Sequence, residues 1–109
     1  MRSVNITLKK KSIQMALPPA NVLLRAAQVA MDQDKPIYLD YFADSVEKKC
    51  FIGVQESGTK FLVKSSEEYT SSIESIFKCD TCYIVATENS LYVISAEVPA
   101  KKILSSTSS

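Results

Sequence analysis

The residues best suited to chemistry in this chain are Cys79-Asp80-Thr81-Cys82, two thiols three positions apart, with a third cysteine, Cys50, distant. A tight turn brings such a pair to one point, where two thiolates can hold zinc. A closed site needs four ligands, and the chain has no histidine. Asp80, Asp44 or the cysteines of a second chain would have to complete it. Redox use asks for the first cysteine at a helix N-terminus, which lowers its pKa. Here the motif lies between Ile76-Phe77 and Tyr83-Ile84-Val85 and reads as a β-turn. In the remaining reading Cys79 and Cys82 are small residues ending adjacent strands, one inward and one half-exposed. That third reading is the expectation, with no metal and no cofactor. Cys79 and Cys82 stay as the fallback metal pair.

Catalysis fares no better. Without histidine the commonest general base at neutral pH is missing, and there is no G-x-S-x-G elbow. Asp40 and Asp44 are four apart without a recognisable partner set. Two glycines are too few for a phosphate-cradling loop. The expectation is a protein that is not an enzyme.

Charge is more informative. The formal net charge is +1, but it is unevenly placed. Residues 1–11 hold Arg2, Lys9, Lys10 and Lys11 and no acid. Residues 12–100 hold seven cations and all twelve acids, a net of −5, and Lys101 and Lys102 follow. A basic arm and a basic tail therefore flank an acidic body. Such clusters contact phosphates or acidic protein surfaces. Arg2, Lys9, Lys10 and Lys11, helped by Lys101 and Lys102, are the candidate partner or nucleic-acid contacts. Tyr38, Phe42, Phe51 and Tyr83 are candidate stacking rings, although Lys49-Cys50-Phe51-Ile52-Gly53-Val54 only loosely echoes an RNA-binding strand. Core packing accounts for most such rings.

An odd, sparse set of cysteines and the absence of a secretory apolar core favour an intracellular setting. The Asn5-Ile6-Thr7 sequon is then unused. The acid-free start also resembles a transit peptide in charge, but its lysine block and few serines argue against one. No apolar run is long enough for a membrane span.

These residues need a scaffold, and 109 residues make one domain. Val4, Ile6 and Leu8 alternate with Ser3, Asn5 and Thr7, a short strand within the arm. Pro18-Pro19 opens a helix over Pro19–Gln33, with Asn21, Arg25, Gln28 and Asp32 as its wet stripe and alanines that let a sheet approach. Ile37–Phe42 reads as a strand and Asp44–Lys49 as a charged connection. Cys50–Gln55 and Lys60–Lys64 form a hairpin around Gly58, with Phe61 and Val63 facing the core. Ser65 and Glu68 have capping-box spacing, enough for one helical turn. Ile73–Lys78, Cys82–Thr87 and Leu91–Ser95 complete the strands, with Asn89 supplying a left-handed turn residue. The predicted fold is α+β, an antiparallel meander of five to six strands with one α-helix packed on one face. Residues 1–11 form the basic arm with its short strand, 12–100 the single globular domain, and 101–109 a disordered serine-rich tail.

Three stretches, Lys35-Pro36-Ile37-Tyr38-Leu39-Asp40-Tyr41-Phe42, Glu67-Glu68-Tyr69-Thr70-Ser71 and Thr87-Glu88-Asn89-Ser90-Leu91-Tyr92-Val93, carry a resemblance. Over residues 35–98 the chain resembles small β-rich proteins encoded by nucleocytoplasmic large DNA viruses. The resemblance implies a viral, intracellular protein of the virion or virus factory, in the host cytoplasm, nucleus or particle, and it brings no functional residue with it. The function expected is binding: a structural component or accessory of a larger protein assembly, engaged through edge strands or self-association. The alternative is a nucleic-acid-binding accessory protein that uses the basic arm.

Overall fold

The computed structural model describes residues 17–103. The expected strand Val4–Leu8, the cations Arg2, Lys9, Lys10 and Lys11, and the tail beyond Ile103 lie outside the described residues. Helix α1 spans Ala20–Gln33, one residue inside the expected start, with Pro19 in an extended conformation as its N-cap. Proline suits that place because no amide there needs a partner. Asp34 ends the helix in the left-handed region (φ 58°), its N–H bonded to the Ala30 carbonyl.

Strand β1 follows at Ile37–Tyr38, then helix α2 at Asp40–Val46. The chain continues as β2 Phe51–Val54, β3 Lys60–Ser65, β4 Glu68–Tyr69, β5 Ile73–Cys79, β6 Cys82–Thr87, β7 Leu91–Ser95 and β8 Ala100–Lys102. These strands form two four-stranded sheets, ordered β1-β7-β6-β5 and β4-β3-β2-β8. The fold is thus α+β as expected, but the single antiparallel meander with one helix is not what forms. There are two sheets and two helices, and two of the pairings are parallel: β1 with β7 and β8 with β2.

The layers run helix α1, first sheet, second sheet. Along β6, Cys82 and Ile84 point to α1, while Val85 and Tyr83 point between the sheets. Val22 and Ala26 of α1 meet Ile84, Val93, Cys82 and Phe42 on one side. Ile52, Leu62, Val85, Ile94 and Val98 fill the other. Both faces of the first sheet are covered, which is why β6 and β7 read as almost unbroken apolar runs. Among the described residues the second sheet is covered on one face only.

Helix α2 is the largest local departure from expectation. Ile37–Phe42 has the composition of a strand, yet only Ile37 and Tyr38 pair, with Leu91 and Tyr92 of β7. From Asp40 the chain coils, because Tyr41, Phe42 and Ser45 then fall on one helical face and become buried together. Seven residues are too few to form a helix unaided, so packing decides. The helix takes over where β1 stops. Ser45 Oγ donates to the Phe42 carbonyl (2.6 Å) and accepts from the Ser95 N–H (2.8 Å) at the far end of β7. An edge strand is thereby satisfied by a helix instead of a neighbouring strand.

Turn chemistry matches in part. Gly58 has φ 95° in the β2–β3 turn, where Gln55 N–H bonds the Thr59 carbonyl at 2.8 Å. The turn after β6 does not use a left-handed Asn89. The Thr87 hydroxyl accepts from the Ser90 N–H (3.2 Å) and donates to the Ser90 carbonyl (3.2 Å) instead. Ser65 and Glu68 do not start a helical turn; Ser65 Oγ accepts from the Glu67 N–H (3.2 Å) and the chain reverses into β4. The boundary drawn at residue 101 falls inside β8, so Lys101 and Lys102 belong to a paired strand.

Candidate binding face

The cysteine motif folds as its local sequence suggests. Cys79 and Cys82 are paired across the two ends of a β-hairpin, with Asp80 at φ 57° in the turn. Cys82 is buried and Cys79 half-buried, both packed in the cluster beneath α1. Burial pushes the Cys82 thiol up, against a lowering hydrogen bond from Thr81. That direction is opposite to what a reactive thiolate requires. Cys50 is buried elsewhere, between the sheets. Among the described residues no group of three His, Cys, Asp or Glu side chains converges on a point suited to a metal.

The densest polar cluster is one that sequence reasoning missed. In β3 the expected orientation is reversed: Leu62 is fully buried between the sheets, while Phe61 and Val63 lie on the opposite face. Lys64 follows Leu62 inward. Its ammonium reaches Asp44 of α2 at 3.1 Å and Glu68 at 3.7 Å, and sits 4.4 Å from the centre of the Tyr41 ring. Its side chain is only 19% exposed. Burial pulls the Lys64 ammonium down, but the Asp44 hydrogen bond and charge, with Asp40 and Glu68, outweigh it and leave the pKa raised. Burial, then Asp40 and Glu68, push the Tyr41 phenol up. Burial, then Asp44, push the Cys50 thiol up to about 11, with Lys64 opposing. Each group is held in its ordinary neutral-pH form, and the cluster locks α2 to the second sheet. Its chemistry is structural.

The outer face of the second sheet is different. Phe51 and Gly53 of β2 stand beside Val63 and Phe61 of β3 by direct register. Tyr69 of β4 meets Phe61 edge-on with ring centres 6.4 Å apart. Ile103, just past β8, lies over Gly53. A Cβ on Gly53 would sit 3.0 Å from Ile103 Cδ1 and 3.1 Å from Val63 Cγ2, so only glycine lets the isoleucine pack flat. Together Phe51, Phe61, Val63, Tyr69 and Ile103, rimmed by Gln55, Ser65 and Ser66, form a groove of about 690 Å³. No helix or strand of the described residues covers it. A mostly apolar concavity with a few polar groups at its rim is the usual form of a binding site.

The predicted contact residues divide accordingly. Lys101 and Lys102 are exposed on β8, at the edge of this sheet, and the Lys101 ammonium lies 4.7 Å from the centre of the Phe51 ring. Of the four candidate stacking rings, only Phe51 reaches the outer face. Phe42 is core beneath α1, Tyr83 packs between the sheets, and Tyr38 stacks on Tyr92 at 5.7 Å. The sequence points Phe61 and Val63 to the core and does not single out Tyr69 and Ile103 as contacts. The hairpin register about Gly58 would have paired Phe51 with Val63 and Gly53 with Phe61, and so placed them on one face; which face is solvent depends on the second sheet pairing across the molecule. Among the described residues no helix is long and apolar enough to cross a membrane. No family model matches the chain, and no curated protein or solved structure is significantly similar to it.

Proposed function

We propose that this is a non-enzymatic binding protein, a component or accessory of a larger intracellular protein assembly, and that a partner protein docks on the outer face of the second sheet. The observation that carries the reading is the groove of Phe51, Phe61, Val63, Tyr69 and Ile103 on a sheet face that no element of the described residues covers. Tyr69 is 59% exposed, and aromatic groups held in a concavity are the residues that dominate protein interfaces. The polar rim of Gln55, Ser65 and Ser66 suits hydrogen bonds to an apolar peptide segment. By the resemblance of residues 35–98, the proposed assembly is viral, in the virion or virus factory.

The test is capture from the native source with wild type, Tyr69→Glu and Phe61→Ala, each checked for folding. Loss of the same partner from both variants is expected. Retention of that partner by both, or no partner for the wild type, overturns the reading. A second reading, nucleic-acid contact, draws on exposed Lys101 beside Phe51, with Lys102 exposed next to it in β8, together with the basic arm. In a gel shift, binding that falls when Lys9, Lys10 and Lys11 are replaced would favour it over the first.

A further inference from the structure

We infer that α1 is a self-association helix, pairing antiparallel with α1 of a second copy of this chain. The proposal is independent of the groove on the second sheet, which lies on the other side of the molecule.

Helix α1 buries Val22 and Ala26 on the first sheet. At 100° per residue, Ala20, Leu24, Ala27 and Met31 gather in an arc of about 60° on the side away from that sheet. Leu17 is 53%, Leu24 63% and Met31 81% exposed. The expected wet stripe of Asn21, Arg25, Gln28 and Asp32 is indeed exposed, but it is only part of the solvent face. Within α1 the spacing of seven between Leu24 and Met31, with Ala20 and Ala27 at the intermediate positions, is that of a short coiled-coil seam, whose natural occupant is another helix.

Two features identify that helix as a second copy running the opposite way. First, antiparallel packing sets each position of one type against the other type on the partner helix. Leu24 then meets the partner's Ala27, and Met31 meets the partner's Ala20. Every central layer joins a large side chain to a small one, the condition for close packing without voids. A parallel pair would stack alanine on alanine and leave gaps. Second, the charges suit only the antiparallel arrangement. Helix α1 has no acid in its first turn and no base in its last, while Asp32 and Asp34 stand at its C-terminal end, unfavourable for the helix dipole. An antiparallel partner brings its positive helix start beside those acids. Parallel pairing would instead bring acids to acids.

A pair of 14-residue helices is about 21 Å long, at the small end of specific interfaces, so micromolar dissociation is expected. The test is sedimentation of the full chain between about 1 and 200 µM. The mass should rise from 12.1 kDa toward twice that value, and Leu24→Glu and Met31→Glu should each keep the chain monomeric while leaving it folded. Leu24→Cys mixed with Ala27→Cys should yield more disulfide-linked pairs under mild oxidation than either variant alone. A wild type that stays monomeric throughout, its stripe being covered by residues 1–16 or by a different protein, overturns the proposal. So does a dimer that survives both glutamate variants, or cross-linking in which Leu24→Cys alone outperforms the mixture.

Discussion

Ser45→Ala removes one oxygen atom from a fully buried site, and it should cost far more than its size suggests. The Ser45 hydroxyl donates to Phe42 at 2.6 Å and accepts from Ser95 N–H at 2.8 Å. Losing the first bond costs about 1 kcal/mol net, and leaving the partly buried Ser95 N–H without a partner costs about 1–3 kcal/mol more. The sum, about 2–4 kcal/mol, is a large part of the total stability of a domain this size. Urea unfolding followed by circular dichroism should show a lower midpoint with an unchanged slope, and melting should fall by about 10 °C or more. Ser57→Ala, which breaks only an exposed hydroxyl contact with Thr59 (3.0 Å), should shift stability by less than about 0.5 kcal/mol. If the two variants behave alike, α2 is not the element that completes β7.

Stability should also decline at alkaline pH. The Cys50 thiol is neutral in the fold up to about pH 11, against an ordinary value of 9.0. Above pH 9 the unfolded chain gives up that proton first, so stability is full below pH 9 and lost as pH rises to about 11. At 1.36 kcal/mol per pH unit the interval corresponds to about 3 kcal/mol at most. Raised Cys82 acts in the same direction from the same pH, and raised Tyr41, Tyr92 and Lys64 do so at higher pH; Cys50→Ala should therefore make the fall between pH 9 and 11 shallower without abolishing it, as urea midpoints across that range will show. Gly58→Ala meets no neighbour within 4 Å, so any cost is backbone strain at φ 95°; about 1 kcal/mol of destabilisation is expected in the same assay, with the second sheet otherwise intact.

The elements that sequence reasoning placed well are those whose pattern is local. The helix behind Pro18-Pro19, the Gly58 hairpin and the Cys79–Cys82 turn each carry their own punctuation. Asp40–Val46 carries none. Its tyrosine and phenylalanine favour a strand by composition, and a helix forms there because the free length of β7 needs partners that only Ser45 can reach. The orientation of β3 was misread for a related reason. Lys60, Leu62 and Lys64 alternate with Phe61 and Val63, so charge suggests one face outward. In the fold Lys64 is turned inward to Asp44 and Tyr41, residues twenty and more positions earlier, and that long-range pairing is invisible in the local pattern. The groove depends on the same inversion. Once Lys64 is inside, Phe61 and Val63 must face out, beside Phe51, Tyr69 and Ile103.

The charge asymmetry also changes meaning with the structure. Lys101 and Lys102 are fixed on a sheet edge next to the groove, not on a free tail. An acidic partner seated on this face would meet Lys101, which lies over Phe51, and salt should weaken that contact.

Docking on the outer sheet face is tested most directly by placing a photo-reactive benzoylphenylalanine at Tyr69 and, separately, at Glu88 in the turn between β6 and β7, then irradiating the protein in its native source. A discrete adduct with one partner protein from Tyr69, and none from Glu88, is the predicted result. Adducts of equal yield from both positions, or from Glu88 alone, would contradict the account.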